Sequence, residues 1–308
     1  MPRRPDHSPA LRGLLLALVL ASVPVCAGCG QPAQGTPSLA AAVPGQPATA
    51  DPVPAAATST PSSTPTTRTP ARTTPPARKP TRVATPAAKR QLPQVVVLDP
   101  GHNGGNIDHP GEVDAEVPAG NGQTKACNTT GTQTNSGYPE HAFTFDVALR
   151  AQRILAAHRV TAVLTRSDDH GVGPCVNERA AFGNARKAAA VVAIHADGYL
   201  GGGHGFHVIE ASVPPAGPLV SLASHRLAVA VHDVYAAESG FGTATYIGAY
   251  GYARRADLAG LNLSLRPSIF IECGNMRDSA DAARMVTAAG RQRIAQAIAD
   301  GILRYLRP

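Results

Sequence analysis

Residues 30–93 contain no Ile, Met, Phe, Tyr or Trp and only five Leu or Val residues, whereas Pro, Thr, Ala and Ser are abundant. So little apolar surface cannot offset the conformational entropy lost on ordering, which excludes this segment as a folded core. We predict a disordered linker at 30–93, extended by proline at about 3.1 Å per residue to a span on the order of 100 Å. The core must therefore lie in residues 94–308, for which we expect a single domain.

A hydrophobic run long enough to cross a membrane is also absent from the first 29 residues. The apolar run at 14–25 follows Arg3, Arg4 and Arg12, but it is shorter than the roughly 20 residues that a spanning helix needs. Basic residues before a short apolar run are typical of a signal peptide. We therefore predict a signal peptide at 1–29 and export of the chain.

This apolar run ends in the sequence Cys26-Ala27-Gly28-Cys29. Small residues before a cysteine are similar to the bacterial lipobox, in which the cysteine is lipidated after cleavage, although Cys26 stands where Leu is usual. Two outcomes stay open. Cys29 carries a lipid anchor to the membrane, or the leader is cleaved near Ala27 or Gly28 and Cys29 is a spare thiol.

An excess of basic residues is absent from the predicted domain, although the whole chain has a formal net charge of +7. Residues 1–93 hold ten Lys or Arg and two Asp or Glu, whereas residues 94–308 hold eighteen Lys or Arg and nineteen Asp or Glu. Such a balance argues against nucleic acid as a partner, because domains that bind it are strongly basic. The basic part of the linker, 68–90, suits anionic wall polymers or phospholipid headgroups, or it serves solubility alone.

Cysteine is scarce, and three of the five cysteines lie beyond the leader. Cys127 and Cys175 are surrounded by Gly, Asn and Pro. In an exported protein we predict that they form a disulfide, with two free thiols as the alternative. Cys273 follows an apolar run and is expected to be a small buried hydrophobic residue.

Apolar runs and helical periodicities alternate along residues 94–308. The predicted strands are 94–98, 160–165, 191–194, 206–209 and 268–271, and the predicted helices are 141–158, one through Arg179 and Arg186, 219–235 and one at the end of the chain. This alternation predicts an α/β fold with a mainly parallel or mixed sheet and helices on both of its faces. In such sheets the functional residues lie at the carboxyl ends of strands.

Three chemistry-bearing residues follow predicted strands: His102, His195 and Glu272. Glu140, at the start of the helix 141–158, is the strongest candidate for a further carboxylate. Two imidazoles and one carboxylate are a common ligand set for a catalytic zinc ion. The spacing is unlike the compact helical HExxH signature, so the residues alone leave open that each histidine is structural.

Six segments, in the right order over nearly all of residues 94–308, resemble motifs of the zinc-dependent N-acetylmuramoyl-L-alanine amidases, the amidase type 3 domain. They are DPGHNGG at 99–105, Glu140 at a helix start, LTRSDD at 164–169, Arg179 with Asn184, VAIHAD at 192–197 and IECGNM at 271–276. The sequence departs from the family pattern at Asn103, which replaces Gly, at Ala193, which replaces Ser, and at Asp197, which replaces Asn. These departures bear on substrate fit more than on metal binding.

The resemblance implies one zinc ion held by His102, Glu140 and His195, with Glu272 as the catalytic residue. The substrate would be peptidoglycan, cut at the amide bond between N-acetylmuramic acid and L-alanine. Two further residues are candidates for substrate binding. Arg166 is a possible clamp, with a structural ion pair as the alternative, and His204 lies in a glycine-rich loop suited to the edge of a cleft.

Two other functions stay open. A zinc peptidase acting on stem peptides would share the metal ligands and differ in its groove contacts. A non-catalytic wall-binding lipoprotein would keep the fold without turnover, although the joint presence of His102, Glu140, His195 and Glu272 argues against it. We expect a monomer in the cell envelope, either tethered to the membrane or secreted to the wall.

Overall fold

The computed structural model of the chain describes residues 94–213 and 215–307. The predicted signal peptide at 1–29, the linker at 30–93 and the lipidation site at Cys29 lie outside the described residues. None of the helices formed by the described residues is long and apolar enough to span a membrane.

A six-stranded mixed sheet forms the centre of the domain. Its strands are β1 (Val95–Pro100), β4 (Thr161–Leu164), β5 (Ala190–Asp197), β6 (His207–Ala211), β7 (Tyr252–Arg255) and β8 (Ser268–Asn275). Their order in the sheet is β4-β1-β5-β8-β6-β7. The first four strands in this order are parallel, and β6 and β7 run together in the opposite direction. The sequence-predicted α/β fold with a mixed sheet is confirmed.

Helices cover both faces of this sheet, as predicted. One face packs against α2 (Glu140–Ala157), α4 (Pro218–Glu238) and α7 (Ala288–Leu306), and the other lies under α3 (Val176–Ala185) and α5 (Ala259–Asn262). Short elements complete the described chain: a 3-10 turn (Gly104–Asp108), α1 (Pro110–Val113) and α6 (Ser279–Met285).

The two-residue alternation of β1 explains how one strand serves two cores. Val96 and Leu98 are fully buried in the larger core, which the side chains of α2, α4 and α7 complete. Val97 points to the opposite face and packs in a smaller cluster with Val191 and Phe182. Because both faces are covered, the strand is an unbroken apolar run rather than an alternating one.

A two-stranded hairpin stands apart from the sheet and was not predicted. It consists of β2 (Glu116–Gly120) and β3 (Gln123–Ala126), joined at Asn121 and Gly122, which have positive φ values of 54° and 71°. Asn-Gly is a strong hairpin signal, but these strands are polar and short, so no hydrophobic period marks them.

Cys127 and Cys175 form a disulfide with an S–S distance of 2.03 Å. Cys127 directly follows β3, and Cys175 is the N-cap residue of α3. The bond thus joins the hairpin to the helix layer beside the carboxyl end of β1. Cys273 is a free, buried cysteine, as expected.

Candidate metal and catalytic site

The elements that carry His102, Glu140 and His195 meet at the carboxyl end of β1. His102 lies two residues beyond β1, Glu140 is the first residue of α2, and His195 belongs to β5. One possible ligand atom from each residue lies within 4.8 Å of those of the other two. The structure therefore brings the three predicted metal ligands together.

His195 and Glu272 were predicted to lie just after the ends of strands, and this prediction was wrong. β5 continues to Asp197 and β8 continues to Asn275, because the two strands keep pairing through the site. His195 and Glu272 are direct partners in this pairing. Their side chains accordingly emerge side by side on one face of the sheet.

Glu140 stands at the centre of this cluster. Its Oε2 lies 3.1 Å from His102 Nε2, and its Oε1 lies 3.1 Å from His195 Nδ1. The backbone N–H groups of Thr132 and Ala196 donate to the same two oxygens at 2.9 and 3.1 Å. Burial by itself raises the pKa of the Glu140 carboxyl, but the adjacent imidazoles more than offset this, and its pKa lies well below the usual range.

Neighbouring groups orient both histidine rings. His102 Nδ1 lies 2.9 Å from the Thr129 carbonyl oxygen and therefore donates its proton there, which leaves the Nε2 lone pair facing the cluster. His102 itself has a positive φ of 60°, which is uncommon for a residue with a side chain. The His195 ring stacks on Phe270 with centroids 5.1 Å apart.

The donor set fits a zinc ion. Two imidazole nitrogens and a carboxylate are typical ligands, and atoms bound to a tetrahedral zinc lie about 3.4 Å apart. The two separations of 3.1 Å measured at Glu140 are close to that spacing. The Thr129 carbonyl supplies the outer hydrogen bond that usually accompanies a histidine ligand.

Glu272 faces a cavity of about 250 Å³ that the three candidate ligands also line. Burial raises the pKa of its carboxyl well above the ordinary value, and the negative charges of Asp197 and Glu140 raise it further. A carboxyl group with a raised pKa is suited to accept and return a proton near neutral pH.

A buried ion pair supports the β1 side of the cavity. Arg179 Nη1 lies 2.7 Å from Asp99 Oδ1, and the guanidinium also donates to the carbonyl oxygens of Pro100 and His102. Arg179 thus fixes the backbone on both sides of the turn that leads to the first ligand.

The structure does not bring Arg166 to this cavity. Its guanidinium is buried and donates to Asp169 Oδ1 at 2.8 Å, to Asn103 Oδ1 at 3.1 Å and to several carbonyl oxygens, including that of Pro100. These contacts favour the structural alternative that the sequence left open.

His204 is likewise absent from the described residues that line the cavity. The residue is exposed, and its backbone pairs with Thr245. Neither substrate-binding candidate thus lies beside the predicted metal ligands.

Several cavity residues were missed as site residues by the sequence analysis. They are Lys125, Ala126, Asn128, Thr129 and Thr132 from the hairpin and the loop after it, Asp197 from β5, Leu258 to Gly260 around α5, and Phe270 from β8. Of these residues, only Asp197 had been singled out in the sequence, because it departs from the family pattern. The other residues reach the cavity through contacts between distant segments, which no local motif indicates.

Comparisons with known proteins agree with this geometry. The sequence profile of the family described as N-acetylmuramoyl-L-alanine amidase matches residues 96–304. An N-acetylmuramoyl-L-alanine amidase of Mycobacterium tuberculosis is 45% identical over 223 residues, which are 72% of this chain and 90% of that protein.

Solved structures give the same result. The amidase Ami1 of Mycobacterium smegmatis superposes with a TM-score of 0.66 at 46% identity, covering 69% of this chain and 96% of that one. Ami1 of Mycobacterium abscessus superposes with a TM-score of 0.66 at 44% identity, covering 70% of this chain and 99% of that one. With the ligand cluster in place and the profile spanning most of the described domain, the chain belongs to the N-acetylmuramoyl-L-alanine amidase family.

Proposed function

We propose that this protein hydrolyses the amide bond between N-acetylmuramic acid and L-alanine in peptidoglycan. His102, Glu140 and His195 hold one zinc ion, and Glu272 is the general base. The observation that carries the proposal is the convergence of the three ligand atoms within 4.8 Å in a cavity that Glu272 also lines.

The chemistry follows from the positions of these groups. Zinc, when bound, supplies a Lewis acid for the scissile carbonyl and lowers the pKa of a water molecule toward about 7. Glu272 takes the proton of the attacking water and returns it to the nitrogen of the leaving L-alanine. Glu140 would neutralise part of the charge of a bound metal ion, and the Thr129 carbonyl holds His102 in the tautomer whose Nε2 lone pair faces the cluster.

Two other functions share parts of this site. A zinc peptidase acting within the stem peptide would use the same ligands, but family membership favours the amidase. A wall-binding protein without turnover would not need a buried carboxyl with a raised pKa beside the ligand cluster.

We further propose that the enzyme acts outside the cytoplasm, in the cell envelope. The predicted signal peptide at 1–29 supports export, and the predicted linker at 30–93 would let a domain anchored through Cys29 reach the wall. Free secretion is the alternative. The domain is proposed to act as a monomer on peptidoglycan, because the described residues already supply three ligands and a base.

Product analysis tests the reaction. The purified protein is incubated with muropeptides before and after zinc is removed by a chelator and restored, and the products are identified by mass. The proposal expects free stem peptides with an L-alanine amino terminus, lost on zinc removal and with Glu272→Gln. Glu238→Gln, at an exposed position at the end of α4, is the matched control. Cleavage inside the stem would assign the chain to the peptidases instead.

A further inference from the structure

Asp197 is a carboxylate in the catalytic cavity that has no direct part in the proposed metal binding or proton transfer. It ends β5, two residues beyond His195, and therefore lies about 7 Å further along the strand. Its carbonyl oxygen accepts a hydrogen bond from the Met276 N–H at 2.7 Å, which ties its backbone to the end of β8. The carboxylate is thus held on a rigid part of the site.

One oxygen of Asp197 accepts a hydrogen bond, and the other accepts none from the described residues. The Tyr246 hydroxyl donates to Oδ2 at 2.8 Å, and the Tyr246 ring stacks on Tyr199 with centroids 4.6 Å apart and planes inclined by 6°. His207 Nδ1 lies 3.7 Å from the same oxygen, beyond hydrogen-bond distance. Within 94–213 and 215–307 no group donates to Oδ1, and about a third of the side chain, 32%, is exposed.

The charged groups around the cavity form their ion pairs and hydrogen bonds with partners other than Asp197. Asp99 is paired with Arg179, and Glu140 lies between the two histidines. The cations on the hairpin and β7 are engaged elsewhere, since Lys125 donates to the Asp257 carbonyl oxygen and Arg255 binds the Asp257 carboxylate. Among the described residues no Lys or Arg lies within 4 Å of the Asp197 carboxylate.

We propose that Asp197 binds the side-chain ammonium group of the diamino acid in the stem peptide, a group that is neutral when the stem is cross-linked. The inference rests on the proposed function and adds a selectivity to it. Stems with a free amine are cleaved faster than stems whose amine is acylated. The diamino acid is a few residues from the scissile amide, and an extended chain advances about 3.3–3.6 Å per residue, so its flexible amine can reach the end of β5.

The family pattern indicates a conservative substitution with which to test the role of Asp197. Asn stands at this position in the motif that 192–197 resembles, so Asp197→Asn removes the charge while its amide oxygen can still accept from Tyr246. Tyr246→Phe keeps the ring that stacks on Tyr199 but removes the hydroxyl that fixes Oδ2. Asp108→Asn is the matched control, because Asp108 is exposed and does not line the cavity.

The test uses two N-acetylmuramoyl peptides with lysine as the diamino acid, one with a free ε-amine and one with an acetylated ε-amine. For the unmodified enzyme we expect kcat/KM to favour the free amine by about tenfold, or about 1.4 kcal/mol. Asp197→Asn should bring the ratio close to one, mainly through KM. Tyr246→Phe should lower the ratio in part, and Asp108→Asn should keep it. Equal zinc content in all four proteins shows that the site is intact.

The outcomes separate this inference from the proposed function. If both peptides are cleaved with equal kcat/KM by the unmodified enzyme, or if Asp197→Asn keeps the preference, the inference is wrong and the amidase function stands. If the zinc-loaded protein releases no stem peptide from either substrate, the proposed function fails and the inference fails with it.

Discussion

His195 and Glu272 are register partners on the paired strands β5 and β8, so a proposed ligand and the proposed base stand side by side. They occupy separate strands, and the contacts that hold Glu140 and His102 do not involve Glu272. Metal binding and proton transfer should therefore be separable by substitution.

Glu272→Gln is expected to retain one zinc ion per chain. It should lower kcat by a factor of about 10²–10⁴, which is the usual contribution of a general base. Glu140→Gln should instead lose zinc, because a carboxylate that lies between both histidines is removed. Zinc content by elemental analysis and kcat on a muropeptide are the two measurements. Loss of zinc from Glu272→Gln would show that this residue is a ligand.

Gly131 is packed against the ligand cluster. A Cβ added there would lie 2.9 Å from Glu140 Oε2 and 2.9 Å from the His102 ring, and the residue has a φ of +78°. Gly131→Ala should therefore displace ligands and weaken zinc binding by about tenfold or more. Competition with a coloured chelator measures the affinity.

Gly137 provides the control for this substitution. It has a φ of +88°, but a Cβ would meet nothing within 4 Å. Both alanine variants should lose about 1 kcal/mol of stability from the unfavourable φ, and only Gly131→Ala should lose zinc affinity. Equal zinc affinities in the two variants would contradict this account.

The disulfide is expected to support the metal site as well as the fold. Cys127 directly precedes the loop in which the Thr129 carbonyl orients His102 and the Thr132 N–H binds Glu140. Replacing both cysteines by serine should lower the free energy of unfolding by about 2–4 kcal/mol. It should also weaken zinc binding, by about tenfold. Urea unfolding and chelator competition test the two effects, and a destabilised variant with unchanged zinc affinity would limit the bond to a role in the fold.

The Asp99–Arg179 pair should make stability depend on pH. Burial raises the pKa of Asp99, but Arg179 and the Thr165 hydroxyl more than offset this, so the net pKa is lowered. The stabilisation is then complete above the unfolded pKa of about 3.9 and is lost as the pH falls through the lower folded pKa.

Arg179→Gln leaves Asp99 buried without a cation and should cost about 3–5 kcal/mol at pH 7. The cost should shrink near pH 3, where Asp99 can be neutral. Thermal unfolding of the zinc-free protein at both pH values measures this, with Arg153→Gln at an exposed position of α2 as the control. A cost that is the same at both pH values would show that charge is not its origin.

The main strands and long helices were predictable because their signals are local. Val95 to Leu98 is an unbroken β-branched and apolar run, and α7 repeats Ile294, Ile298 and Ile302 at helical spacing. The hairpin and α5 were not predicted, since both are short and their burial comes from distant partners. Asn262, for example, donates to the carbonyl oxygen of Ala119, 143 residues away.

The sequence by itself determined five of the six sheet strands, the longer helices, the family motifs and the residues able to hold zinc, because each is marked within one short segment. Only the tertiary structure decided which of these residues share a cavity. It buried Arg166 among protein acceptors, left His204 exposed, and placed Asp197 beside Glu272 with Tyr246 as its donor. Those outcomes depend on contacts between separate segments, such as Arg166 with Asn103, 63 residues apart, and Asp197 with Tyr246, 49 residues apart, and no single segment carries that information.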